Sequence, residues 1–125
     1  MNIGKRFNFK KRFTILMKSL NNTKSINVPH SIVFHNLHNK HSEKLQGSIS
    51  AYKFKKIIIY LKKNYNLLDA DIFLKKFNNG RLKNGDVCLS FDDGLKSQYK
   101  IALPILKQYK IKALFFVFTE SFSKK

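Results

Sequence analysis

The tightest constraint in this sequence is a short run, Asp86-Val87-Cys88-Leu89-Ser90-Phe91, that is apolar at nearly every position and leads directly into Asp92-Asp93-Gly94. A strand with one wet face alternates polar and apolar side chains. A strand that does not alternate has to be covered on both faces, as the parallel strands of α/β proteins are. A helical stretch follows from about Gln98 to Tyr109 (QYKIALPILKQY), with a bend expected at Pro104, and then a second strand, Ala113 to Phe118 (ALFFVF). This order is a β-α-β unit. Such units make right-handed crossovers between parallel strands, and their chemistry sits at the C-terminal strand ends. Asp92 and Asp93 stand at such an end.

The upstream chain supplies more of the same architecture. Ser31 to His35 (SIVFH) reads as a short strand running into a polar loop, Asn36 to Ser48, that contains Gly47. Ser50 is placed to cap a helix over Ala51 to Lys63, whose Phe54, Ile57, Ile58 and Leu61 fall at i, i+3, i+4 and i+7. Asp69 is placed to cap a second helix carrying Ile72, Phe73 and Phe77. That helix stops at Asn78-Asn79-Gly80, and Asn84-Gly85 makes a further turn. Before all of this, Phe9, Phe13, Leu16, Met17 and Leu20 share one helical face, with Lys10, Lys11, Arg12 and Lys18 outside it. The expected organisation is a basic amphipathic arm and linker over residues 1–28, with Asn21 to Lys24 as polar linker, and one domain over 29–125. The arm suits docking on the protein's own body. An anionic membrane surface, reached through residues 1–24, is its alternative partner.

Charge narrows the function classes less than its size suggests. The chain of 125 residues carries 25 Lys+Arg against 7 Asp+Glu, a net charge of +18. Only Arg6, Arg12 and Arg81 are arginines, whereas phosphate and base recognition favours the arginine fork. The lysines are scattered among many Asn, Ile and Phe, a composition that A/T-rich codons produce, so no specific nucleic-acid partner is expected. No apolar run approaches the ~20 residues of a membrane-spanning helix, and no secretory signal opens the chain. The single Cys88 has no partner for an intrachain disulfide. The default location is therefore the cytoplasm.

Against that basic background, two of the seven acids are adjacent, after a buried strand and before a glycine. Two carboxylates at a strand end repel each other and lose solvation unless a cation compensates, and a divalent metal does so directly. Neighbouring residues leaving a strand point different ways, so one carboxylate can ligate while the other acts as a base. The competing reading is that Asp92 and Asp93 simply cap the helix that follows.

The surrounding text separates these readings. Val87 to Phe118 resembles the polysaccharide deacetylases of the NodB-homology class, the family-four carbohydrate esterases. Ser90-Phe91-Asp92-Asp93-Gly94 is similar to that family's first motif, Thr-Phe-Asp-Asp-Gly, with Ser for Thr. ALPILKQYKIKALFFVF is similar to its following helix and strand, with Pro104, Leu106 and Phe116 in matching places. IVFHNLHNKH and QGSISAYKFKKIIIY resemble the opening strand and first helix of one branch of the family. The resemblance covers Pro29 to Phe122, about three quarters of the chain.

It implies a partial (β/α) barrel of the NodB-homology type and a metal-dependent hydrolase that removes acetyl groups from an N-acetylated glycan or sugar. Carried over by position, Asp92 is the catalytic base and Asp93 a ligand of a divalent metal, zinc in that family. The family's second motif, His-Ser/Thr-x-x-His, supplies two further ligands and follows the first. Here the four histidines, His30, His35, His38 and His41, all precede Asp93. They read as loop histidines without a metal, with His35 an active-site neighbour at the end of the first strand. The chain thus reads as the front part of a deacetylase, completed by a C-terminal half that another chain could supply. The alternatives are a non-catalytic carbohydrate-binding remnant, or a basic protein that binds nucleic acid or a membrane surface.

Overall fold

A computed structural model of the chain describes residues 28–119. Along it run β1 (His30–Phe34), β2 (Leu37–His38), β3 (Ile49–Ser50), α1 (Ala51–Asn64), β4 (Asn66–Leu67), α2 (Ala70–Asn78), β5 (Asp86–Phe91), a π-helical turn (Gln98–Ala102) leading into α3 (Leu103–Gln108), and β6 (Leu114–Phe115). Strand β5 is the axis of the main sheet. Along one edge it pairs in parallel with the whole of β1, from His30↔Val87 to Phe34↔Phe91. Its other edge is shared by two short parallel strands, β4 at the N-terminal end (Leu67↔Val87) and β6 at the C-terminal end (Phe91↔Phe115). Every residue of β5 is buried, which is why its sequence carries no alternation.

The two faces of β5 are filled differently. Leu89 and Phe91 join Phe34 of β1 in the main core, closed by Phe54, Ile58 and Leu61 of α1 and by Ile101, Ala102, Ile105 and Leu106. Three rings fix its centre. Phe34 meets Phe54 edge-on at 5.0 Å and stacks against Phe91 at 5.5 Å, while Phe54 meets Phe91 edge-on at 5.9 Å. Removing a ring such as Phe54, which is fully buried, costs on the order of 3–5 kcal/mol. The opposite face carries Cys88 and Ser90, with the Ser31 hydroxyl donating to Ser90 Oγ at 2.9 Å.

The local signals account for most element ends. Ser50 accepts from the backbone N–H of Lys53 at 3.2 Å and starts α1. Asn79 and Gly80, the latter at φ +63°, end α2. Asp69 stands at the N-cap position of α2 without a capping hydrogen bond. Its carboxylate instead accepts from the Lys112 backbone N–H at 2.9 Å, and the Ala70 N–H donates to Lys112 O, so the residue ties α2 to the approach of β6. The bend expected at Pro104 takes the form of a π-helical turn just before it, closed by the Leu103 N–H bonding to Gln98 O. A proline has no N–H for a regular helical bond and crowds the carbonyl four residues back, and the wider turn relieves both.

Other expectations are corrected. The loop over 36–48 contains β2, which pairs with β3 (Leu37↔Ile49), and β4 follows α1 with no sequence signal of its own. The strand expected over Ala113–Phe118 pairs only at Leu114–Phe115. Phe116, Val117 and Phe118 lie exposed beyond it, although the Phe116 N–H still bonds to Phe91 O. The described residues make an open parallel sheet and not a closed barrel. The amphipathic arm lies outside them, apart from exposed Val28. No described helix is long and apolar enough to cross a membrane.

One buried charge fixes the lower end of the sheet. The Asp86 side chain is 2% exposed and bonds the Lys76 ammonium at 2.9 Å. It also accepts from the Asn66 amide and from the Lys83 backbone N–H, so β4, α2 and the following loop meet at the start of β5. Burial alone pushes this carboxyl up. The Lys83 N–H, Lys76 and Asn66 together outweigh it and hold the group below its usual value. A carboxyl lowered in the fold stabilises fully above its unfolded value of about 3.9 and loses that contribution as the pH falls through the folded value. Asp86→Asn is therefore expected to flatten the fall in stability below about pH 4, and Asp86→Ala to cost about 2 kcal/mol at neutral pH. Urea unfolding of both variants across pH 2–7 checks this.

Candidate functional site

The parallel register of β1 and β5 does more than build the sheet. Because Phe34 pairs with Phe91, the next residues along, His35 and Asp92, emerge side by side at the C-terminal strand ends. The Asp92 N–H makes a last bond to Phe34 O at 3.2 Å. The chain then reverses through two residues with left-handed backbone, Asp93 at φ +74° and Gly94 at φ +58°. Asp is among the few side chains that adopt this conformation readily, and Gly adopts it without cost. Gly94 is demanded twice, since a Cβ there would lie 3.0 Å from Val117 Cγ1. The Asp-Asp-Gly triplet is thus a tight turn that presents two carboxylates.

Neither carboxylate is tied into the fold as Asp86 is. Asp92 is half-buried, with its side chain 39% exposed, and its Oδ2 lies 3.6 Å from His35 Nε2. Asp93 is exposed, and its carboxylate has no hydrogen-bond or ion-pair partner among the described residues. Neither carboxylate makes a capping hydrogen bond to the helical segment that follows, which is already helical at Lys96 and Ser97. Ser97 in turn braces the turn against the β1–β2 connection. Its hydroxyl donates to Asn36 Oδ1 at 2.7 Å and accepts from the Leu37 N–H at 3.3 Å. Deeper still, the buried Gln98 amide donates to the carbonyls of both His35 and Asp92. Beside the turn lies an open, mostly apolar hollow of about 260 Å³ lined by Gly94, Leu95, Gln98, Tyr99, Leu103, Phe115 and Val117. A larger cleft of about 500 Å³ involves Pro29, His30 and Ser31, at the other end of β1 from Asp92.

Of the histidines, only His35 joins the carboxylate pair. His30 bonds Val28 O through Nδ1. Ser48 Oγ donates to Leu45 O at 2.7 Å, so the 2.8 Å bond to His38 is given by the His38 Nδ1–H. His41 bonds through its backbone N–H to Asn39 Oδ1. Cys88 is buried, and burial pushes its thiol up, with a smaller opposing effect from Ser31, so it is no nucleophile. A catalytic zinc normally takes three protein ligands. Asp93 fits one of those places as an accessible, unengaged oxygen donor, but no group of three His, Cys, Asp or Glu converges among the described residues. Sequence reasoning singled out Asp92, Asp93, Gly94 and His35, and the structure brings His35 beside Asp92. The same reasoning missed Asn36, Ser97 and Gln98, for which the only signal was polar residues beside an apolar helical face.

Comparison with known proteins bears directly on this turn. The polysaccharide deacetylase family model matches residues 79–125, which contain the Asp-Asp-Gly turn, the helical segment and β6. No curated protein matches the chain. Among solved structures, IcaB from Ammonifex degensii is similar at 28% identity and a TM-score of 0.61, over 73% of this chain and 38% of that one. A de-N-acetylase from Aggregatibacter actinomycetemcomitans is similar at 27% identity and a TM-score of 0.56, over 70% and 36%. The Streptococcus pyogenes deacetylase PplD, in complex with acetate, is similar at 25% identity and a TM-score of 0.54, over 71% and 42%. The mixed α/β arrangement of parallel strands and helices is similar to part of these deacetylase structures, and the family model meets the resemblance read from the Asp-Asp-Gly motif. The chain spans about two fifths of the length of these three proteins.

The double demand on Gly94 gives a direct test. Gly94→Ala is expected to cost about 1–2 kcal/mol from the left-handed backbone alone, and more from the contact with Val117. Urea unfolding measures the loss. A change below a few tenths of a kcal/mol would show that the turn relaxes freely.

Proposed function

We propose that this chain carries the catalytic base and one metal ligand of a carbohydrate deacetylase. The observation that carries the reading is the strand-end pair itself: two carboxylates with no structural duty, one beside an imidazole, inside the segment that matches the deacetylase family. Asp92 is the base. Half-buried next to His35, it takes a proton from the water that attacks an acetamide carbonyl; the C–N bond then breaks as a general acid from outside the described residues protonates the nitrogen, and acetate and a free amine leave. Asp93 holds a divalent cation, zinc by the family resemblance, with its other ligands supplied from outside the described residues. When bound, such an ion polarises the carbonyl and lowers the pKa of water. Ligation by Asp93 leaves Asp92 free for the proton.

An N-acetylated glycan or sugar is the substrate class this reading supports. The similarity to a deacetylase in complex with acetate and to a de-N-acetylase points the same way. The test is acetate release from N-acetylglucosamine oligomers with Zn²⁺. Joined to, or mixed with, a segment bearing the His-Ser/Thr-x-x-His motif, the chain is expected to release acetate, and Asp92→Asn to lower the rate roughly 10²–10⁴-fold. Equal activity in Asp92→Asn would overturn the base assignment. Full activity without the added segment would overturn the need for outside ligands.

A further inference from the structure

We infer that Gln98 is a positioning residue that sets the spacing between Asp92 and His35. The inference rests on the deacetylase reading only for what the pair is used for, since the clamp itself is a matter of geometry. The β1–β5 register ends at Phe34↔Phe91, and the Asp92 N–H bond to Phe34 O completes the ladder. One residue further along each strand, the carbonyls of His35 and Asp92 are both taken by Gln98 Nε2, the first at 2.8 Å and the second by a shorter bond. A primary amide has two N–H donors, and here each strand end receives one. The side chain therefore continues the ladder by one step and stops the strand ends from splaying where their side chains approach to 3.6 Å.

The other half of the amide is idle: Gln98 is 1% exposed, and its Oε1 is buried with no hydrogen-bond partner among the described residues. Reversing the amide would set Oε1 against two carbonyl oxygens, so the orientation is fixed by its neighbours. A buried acceptor without a partner destabilises the fold, and an apolar side chain of similar length would avoid that penalty. The same change would also take away the donor that both strand-end carbonyls share. That donor end, shared between the two residues of the site, is what distinguishes glutamine from methionine or leucine.

The experiment is a shift-coupling cycle by NMR on the full chain, reading the His35 Cε1–Hε1 cross-peak. In the parent, Asp92→Asn is expected to move this peak. In a Gln98→Met background, which removes both donors and the orphan acceptor while keeping the volume, the same substitution is expected to move it by less than half as much. Should Gln98→Met fail to fold, Gln98→Asn decides: its shorter amide reaches at most one carbonyl, so the coupling should fall. An Asp92→Asn shift of equal size with and without the Gln98 amide would overturn the inference. Acetate release by the completed enzyme gives an independent readout, with kcat falling about 10²-fold at constant KM when the pair is misplaced. If no acetate is released by any form, the deacetylase reading fails while the coupling result still stands or falls by itself.

Discussion

The structure depends on one strand having no exposed face and a partner on each edge. β5 is buried along its whole length, is covered by β1 on one edge, and is shared on the other by β4 below and β6 above. Burial on both faces fixes its register, because a slip of one residue would exchange the core set of Leu89 and Phe91 with Cys88 and Ser90 on the opposite face. The register then decides what happens at the ends. At the N-terminal end it places Asp86, whose charge is met by three elements at once. At the C-terminal end it sets Asp92 beside His35. The two ends differ in kind: Asp86 is fully engaged and holds the fold, whereas Asp92 and Asp93 are left largely unengaged.

That contrast supports a chemical role for the pair more strongly than adjacency does. In a chain with 7 acids against 25 basic residues, most carboxylates should be drawn into ion pairs or caps. Asp69 ties a backbone N–H, Asp71 pairs with Lys112, and Asp86 pairs with Lys76. In the Asp-Asp-Gly turn, by contrast, the Asp92 carboxylate meets only the His35 ring at 3.6 Å, and that of Asp93 has no partner among the described residues. Non-glycine residues with left-handed backbone cluster at functional sites, where surrounding contacts hold them in place. Here those contacts are the Ser97–Asn36 brace, the Gln98 amide and the Val117 approach.

Much of this was legible in the sequence. β5 announced itself because burial on two faces removes alternation, and α1 because Ser50 and the Phe54, Ile58, Leu61 stripe state its start and its buried side. What was illegible depends on partners far away in the chain. β4 is two residues long, polar at Asn66, and exists only because β5 offers it an edge. β6 was expected to be longer, since its apolar residues signal a strand, but pairing stops at Phe115 and leaves Phe116 to Phe118 exposed. Asp69 stands where a cap should be, yet its carboxylate goes to Lys112, 43 residues away. The approach of His35 to Asp92 follows from a parallel register that no local pattern states. Gln98 looked like a polar position at a helix start and proved to be among the most deeply buried side chains.

The central claim is that the strand-end carboxylates are held for chemistry and do not hold the fold. The most direct measurement is equilibrium urea unfolding of the Asp92→Asn, Asp93→Asn double variant at neutral pH and physiological salt. Asparagine keeps the size of the side chains and tolerates the left-handed turn, so the comparison isolates the charges. The account predicts a midpoint and slope matching the parent. A loss of more than about 1 kcal/mol would mean that the pair is part of the scaffold, and would contradict it.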